Sequence, residues 1–189
     1  CFTFNVVWIF SNNQIIWFSD FLDSILMSDV IYRKSTLNTL DKASLIMILS
    51  LFIGIMGTVP GHELIHRKKN KFDQFIGKLL LSLSWDCTFA IEHVHGHHKN
   101  VGYENDPATA KRNQSVYRFV LNAIIKEHSD AWNIELKELK RRDLGVLTFK
   151  NNMIMGYIRS LSLTIIIYVF GGLFSLTCFI MCSFIAKAF

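Results

Sequence analysis

The chain has 189 residues, enough for one domain. Half of it is apolar (51%), sixteen residues are Phe and the mean hydropathy is +0.30, which is too high for an ordinary soluble domain and points to a membrane protein with sizeable polar loops. The formal charge of +5 fits cytoplasmic loops rich in Lys and Arg and does not call for nucleic-acid binding.

In chain order, residues 1–27 are apolar and aromatic but interrupted by Ser11-Asn12-Asn13-Gln14; they read as one imperfect transmembrane helix or as a buried helix. Residues 28–42 are polar and read as a loop, with Asn38 or Thr39 as the cap of the next helix and Asp41 and Lys42 in its first turn. Residues 43–59 form a clean apolar run, about 25 Å as a helix, which an extension to Glu63 lengthens to about 30 Å. Arg67, Lys68, Lys69 and Lys71 follow, so this end is expected on the cytoplasmic side. Residues 72–91 are again apolar but carry Lys78 and Asp86. A charge at mid-bilayer costs at least about 2.5 kcal/mol, so this segment is expected to lie in the interface, or to dip in and return, rather than to cross.

From Glu92 to Asn152 the chain is polar, with ten Lys/Arg and eight Asp/Glu, most simply a solvated face. Asp106-Pro107 reads as a turn or helix start, and residues 115–125 and 131–142 have amphipathic helical spacing. Residues 153–170 form a second strong span; Gly171-Gly172 then permits a tight turn, and residues 173–189 begin a return helix. One unbroken helix over residues 154–189 would be about 54 Å long, too long for one crossing. Of the four cysteines none forms a CxxC pair, and Cys1, Cys87, Cys178 and Cys182 are read as reduced packing residues. The chain begins with Cys and ends in an apolar run, so both ends are expected to be truncations of a single domain over residues 1–189.

Six of the seven histidines fall in two clusters, His62-Glu63-Leu64-Ile65-His66-Arg67 and Glu92-His93-Val94-His95-Gly96-His97-His98. Imidazole suits iron, zinc, copper and nickel, so the clusters read as a metal site at a membrane surface. On a helix His62 and His66 share one face, His93 and His97 repeat that geometry, and His98 adds a ligand on an adjoining face. Five imidazoles exceed what one tetrahedral zinc needs and suit two metal ions. If both clusters serve one centre, residues 72–91 cannot cross. The string HELIH also matches the H-E-x-x-H pattern of zinc metalloproteases, but that pattern needs a soluble cleft and leaves the second cluster unexplained. A membrane metal transporter would need ionisable residues along its spans, yet residues 44–61 and 161–182 carry no charge.

At these residues the chain resembles the membrane-bound fatty acid desaturase/hydroxylase superfamily, and within it the alkane 1-monooxygenase and xylene monooxygenase branch. The first cluster matches a box HE(L/M)xH(K/R) and the second a box EHxxGHH; Asp106-Pro107-Ala108-Thr109 and Ser115-Val116-Tyr117-Arg118-Phe119 are similar to the loop that follows. The third box, with HSDHH, is absent, and His128-Ser129-Asp130 is not that box; His128 is expected at the surface and His95 carries no ligand role.

The resemblance implies an all-α transmembrane helical bundle with a cytoplasmic histidine-rich di-metal site, in a bacterial inner membrane. It further implies two non-haem iron ions with His62, His66, His93, His97 and His98 among their ligands. The activity implied is hydroxylation of a terminal methyl of an alkane or fatty acyl chain with O2 and electrons from a rubredoxin- or ferredoxin-type donor; a desaturase or lipid hydroxylase on the same scaffold is the alternative. Membrane lipid is the other expected partner, and nucleic acid is not one. With only five imidazoles for two ions, the 189 residues alone are expected to bind iron poorly and to be inactive.

Overall fold

The computed structural model describes residues 16–27, 29–103 and 105–188. Every regular element among the described residues is helical. Helix α1 (Ile16–Leu26) has eleven residues, about 16 Å and too short to cross a bilayer; the rest of the aromatic stretch expected to hold an imperfect span lies outside the described residues. Residues 28–42, expected as a loop, contain a short helix α2 (Val30–Ser35). The Asp29 side chain makes it by accepting from the Tyr32 N–H at 2.8 Å, and Arg33 and Lys34 sit favourably at its C-terminal end.

Helix α3 (Thr39–Ile53) starts where the sequence put it. The Asn38 side chain accepts from the Asp41 N–H and the Asp41 carboxylate accepts from the Asn38 N–H, both at 2.9 Å. The helix runs on through a π-helical turn, Gly54–Thr58, into α4 (Val59–His66). Pro60 accounts for the wider turn, because it has no N–H to give and its ring would strike the carbonyl four residues back. The whole Thr39–His66 helix is 28 residues long and apolar enough to cross a membrane.

Helix α5 (Lys71–Leu81) runs back along α4, and the two meet at glycines. A Cβ on Gly77 would lie 3.0 Å from the Gly61 carbonyl oxygen, and one on Gly61 would lie 3.2 Å from the Gly77 carbonyl oxygen. A side chain at either position would push the helices apart by a few tenths of an ångström. A single 3₁₀ turn (Ser82–Ser84) follows, Trp85 takes a left-handed conformation (φ 55°), and the chain turns back into α6 (Phe89–Glu92). The chain within residues 72–91 therefore reverses near Trp85 instead of running on as one helix.

The long helix α9 (Asn152–Ala188) is two antiparallel arms joined at Gly172, whose φ of 74° and ψ of −176° are open to glycine alone. Cross-contacts prove the fold-back. The Ser160 hydroxyl donates to the Ser82 carbonyl, while the Ser183 hydroxyl donates to the neighbouring Leu83 carbonyl. In a straight helix those two serines would be about 35 Å apart. The turn at residues 82–87 is thus held between the two arms. Trp85 Nε1–H donates to Thr164 at 3.2 Å, Gly156 lies against Cys87, and Lys187 pairs with Asp86 at 3.1 Å with both side chains almost buried. Burial pushes the Cys87 thiol up to about 11, so it is an inert packing group. The other described cysteines, Cys178 and Cys182, are also free and buried. They join Leu49, Ile53, Ile167 and Phe179 in the apolar core between α3 and the α9 arms.

The polar stretch becomes a short helix α7 (His98–Asn100), a turn at Asp106-Pro107, and one unbroken helix α8 (Val116–Arg141) where the sequence suggested two amphipathic segments. It docks through Ala131 on Ile91 and Met153. The buried Glu135 carboxylate accepts from the Asn152 N–H at 2.7 Å, and Asn151 accepts from the N–H groups of Met153 and Ile154. The first turn of α9 is thereby satisfied from two sides.

Candidate metal centre

The two histidine clusters meet. His62 and His66, one turn apart on α4, stand with ring centroids 4.8 Å apart. The α5–α6 reversal brings the second cluster over them. Nε2 of His93 lies 2.8 Å from Nε2 of His62 and 3.0 Å from Nε2 of His98, and His66 stands 5.0 Å, ring to ring, from His98. One ligand atom from each of His62, His66, His93 and His98 falls within 4.8 Å of the others.

That grouping differs from the α-helical expectation, in which His93 pairs with His97. Residues His93–His97 form a π-helical turn. Its i→i+5 bonding widens the helix so that residues five apart share a face, and His98 comes round to His93. His97 turns aside instead. Its ring stacks on His93 at 5.3 Å, and its Nδ1 lies 3.0 Å from both carboxylate oxygens of Asp106. A carboxylate accepts only, so Nδ1 carries the proton of this hydrogen bond and Nε2 faces away from it. Asp106 is the functional residue that spacing alone misses; its only signal was its place in the loop after the second cluster. Burial works against its ionisation, but hydrogen bonds from Thr109, His97 and the Ala108 N–H hold it below the usual carboxylate range.

The surroundings suit a metal. Phe89 stacks on the His93 ring at 4.4 Å and meets His62 edge-on at 5.5 Å. Burial, then the charges of His62, His98, His97 and His66, hold His93 down to about 3, so it is neutral at physiological pH, the form that binds metal. Two imidazole nitrogens on one ion, each about 2.1 Å away, lie about 3.0–3.4 Å apart at 90–110°. The Nε2 pairs at 2.8 and 3.0 Å fit that with small adjustment. Glu92 is buried, one of its oxygens has no hydrogen-bond partner, and Gly96 leaves the space for its carboxyl; burial raises it to about 7. Glu63, the base that a protease reading of HELIH would need, is 69% exposed and paired with Arg67.

Two other histidines stand apart. His95, to which no ligand role is given, is exposed and lies outside the four-histidine group. His128, expected at the surface, is half-buried: Trp132 Nε1–H donates to the Tyr157 hydroxyl, which shares a hydrogen bond of 2.7 Å with His128 Nε2. The amphipathic face of α8 that covers α9 carries it inward.

Compared with known families, residues 42–189 match the model for fatty acid desaturases. The chain belongs to the fatty acid desaturase family. Its similar proteins include alkane 1-monooxygenase 1 of Pseudomonas aeruginosa, 35% identical over 120 residues, which are 64% of this chain and 31% of that one. The alkane 1-monooxygenase of Ectopseudomonas oleovorans is 36% identical over 123 residues, 64% of this chain and 29% of that one. The xylene/toluene monooxygenase hydroxylase component of Pseudomonas putida is 28% identical over 133 residues, 70% and 36% of the two chains. The chain spans about a third of the length of the curated relatives it matches. For a desaturase-family chain, the two helices long and apolar enough to cross a membrane mark an integral membrane protein.

Proposed function

We propose that this chain carries the first two histidine boxes of a membrane non-haem di-iron monooxygenase that hydroxylates the terminal methyl of an alkane or alkyl chain. The observation that carries it is the convergence of His62, His66, His93 and His98 from two helices joined by a dipping loop, with His97 held beside them by a buried carboxylate. His62, His66, His93 and His98 would hold one ion and His97, through Nε2, would contribute to a second. Iron held there supplies the reduction of O2 and the insertion of one oxygen atom into an unactivated C–H bond.

The chain's own residues prepare that chemistry. Asp106 fixes the His97 tautomer and makes its free nitrogen a stronger donor. Phe89 keeps water from one side of the His62–His93 pair. The long apolar helices Thr39–His66 and Asn152–Ala188 offer an approach for an alkyl chain from the bilayer. The Lys- and Arg-rich ends of these elements favour a cytoplasmic site, where a rubredoxin-type protein would deliver electrons. The similarity to alkane monooxygenases favours this over desaturation on the same scaffold.

Bound iron in the purified chain is the first test. His62→Ala, His66→Ala, His93→Ala and His98→Ala should each lower it, and His95→Ala should not. Five histidines are too few for two ions, so the chain alone should leave octane unchanged. Joined to a family C-terminal segment with HSDHH, and supplied with a rubredoxin-type donor, it should form 1-octanol. Turnover by the 189 residues alone, or iron content indifferent to His93→Ala, would overturn the assignment.

A further inference from the structure

Behind the histidine turn, on the face away from the metal cluster, lies a cavity of about 730 Å³. Its floor is apolar, formed by Ile65, Ala90, Ile91, Val94 and Ile134. Its rim holds six cationic side chains and only two carboxylates. Both carboxylates are already engaged: Glu138 binds Arg141 and Arg142 at 2.8 and 2.6 Å, and Glu135 accepts from Asn152. Lys68, Lys99 and Lys137 are exposed, and among the described residues none of them has a carboxylate within ion-pair distance. Three uncompensated ammonium groups thus share one concave space, where their fields add.

The position of the cavity says what fits it. Ile65 lies at the end of the Thr39–His66 helix and Asn152 opens the Asn152–Ala188 helix, and both line it. The cavity therefore sits at the level where the two membrane-length helices end, with an apolar floor and a basic rim. An amphiphile with a negative head matches that order, whereas the convex surface of an acidic protein would meet the rim and leave the floor empty. We propose that this cavity binds the headgroup of an anionic phospholipid of the surrounding bilayer, its phosphate against Lys68, Lys99 and Lys137 and its glycerol end over Ile65 and Ile134. The site is independent of the metal assignment, because no side chain of the metal cluster lines it.

The test uses the full chain in detergent and three probes: dioctanoyl phosphatidylglycerol, dioctanoyl phosphatidylcholine and inorganic phosphate. Binding is read by native mass spectrometry and by the shift in melting temperature. Phosphatidylglycerol should bind and stabilise; the other two at the same concentration should not. Lys68→Gln/Lys137→Gln should weaken phosphatidylglycerol on the order of ten- to thirtyfold. Arg112→Gln/Lys150→Gln, which removes the same charge from elsewhere, should change it less than about twofold. Equal binding of the two lipids, or an unaffected Lys68/Lys137 variant, would overturn the site. Equal protection by phosphate would assign it to a small anion. If phosphatidylglycerol is ignored while a rubredoxin-type acidic protein loses affinity for the same variant, the rim is a protein-docking surface and the lipid assignment fails. Should the Gln pair not fold, Lys68→Arg/Lys137→Arg must keep wild-type binding, and the three-probe comparison on the wild type decides.

Discussion

Replacing Asp106 by Asn separates the charge of that carboxylate from its shape. Oδ1 of Asp106 receives the His97 Nδ1–H at 3.0 Å and the Ala108 N–H at 3.1 Å, while Oδ2 receives the Thr109 hydroxyl at 2.6 Å. An asparagine can keep its oxygen on the first two, and its amide can donate to Thr109, whose hydroxyl rotates to accept. The His97 and Ala108 N–H donors stay satisfied, the Thr109 hydroxyl exchanges a donated bond for an accepted one, and the negative charge beside His97 is lost. Stability should therefore stay within about 1 kcal/mol of wild type. The loss of the charged partner of a ligating histidine typically costs about 10–100-fold in metal affinity, or about 1.4–2.8 kcal/mol. Asp106→Ala strands the donors as well and should add a stability loss of about 2–4 kcal/mol. Anaerobic titration with ferrous iron against a competing chelator measures the first quantity, and thermal unfolding without metal measures the second. Asp106→Asn with wild-type affinity would refute the role given to the His97–Asp106 pair. Asp106→Asn melting as low as Asp106→Ala would refute the hydrogen-bond pattern itself.

Asp86→Asn leaves Lys187 nearly buried without its partner and should destabilise by about 3–5 kcal/mol; Asp86→Asn/Lys187→Met should recover most of that in thermal unfolding. Gly172→Ala should cost about 1–3 kcal/mol, because its backbone region excludes a Cβ, whereas Gly145→Ala, with open space around it, should be neutral. Burial and the nearby Asp86 and Glu92 raise Glu127 to about 7. Its folded value lies above its unfolded one, so its contribution is complete below about pH 4.3 and is lost as pH rises through about 7. Glu127→Gln should raise the melting temperature at pH 8 and leave it unchanged at pH 4. Cysteines introduced at Asn70 and Asn100 should react with a membrane-impermeant label from the same side, because the chain between them reverses at Trp85; opposite sides would sink the shared centre.

Much of this was legible from residue type and spacing. The Asn38 cap and the turn at Gly171-Gly172 each follow from a local rule: capping chemistry and positive φ. His62 and His66 meet as an α-helix requires. What stayed hidden depends on departures from regular geometry or on distant partners. The π-helical turn over His93–His97 sets His98 beside His93 and turns His97 aside, and nothing in a 3.6-residue period announces it. His97 finds Asp106 only once the turn between them has formed. The inward turn of His128 needs Tyr157 on another helix.

The turn at residues 82–87, clasped by Ser160 on one arm of α9 and by Ser183 and Lys187 on the other, also sets an order of events. A ribosome makes both histidine clusters before it reaches either arm. Until the second arm emerges and folds back at Gly172, Asp86 has no counter-ion, the Leu83 carbonyl has no donor, and the dip has nothing to close around. The histidines of both clusters are therefore translated before the hairpin that clasps the turn between them.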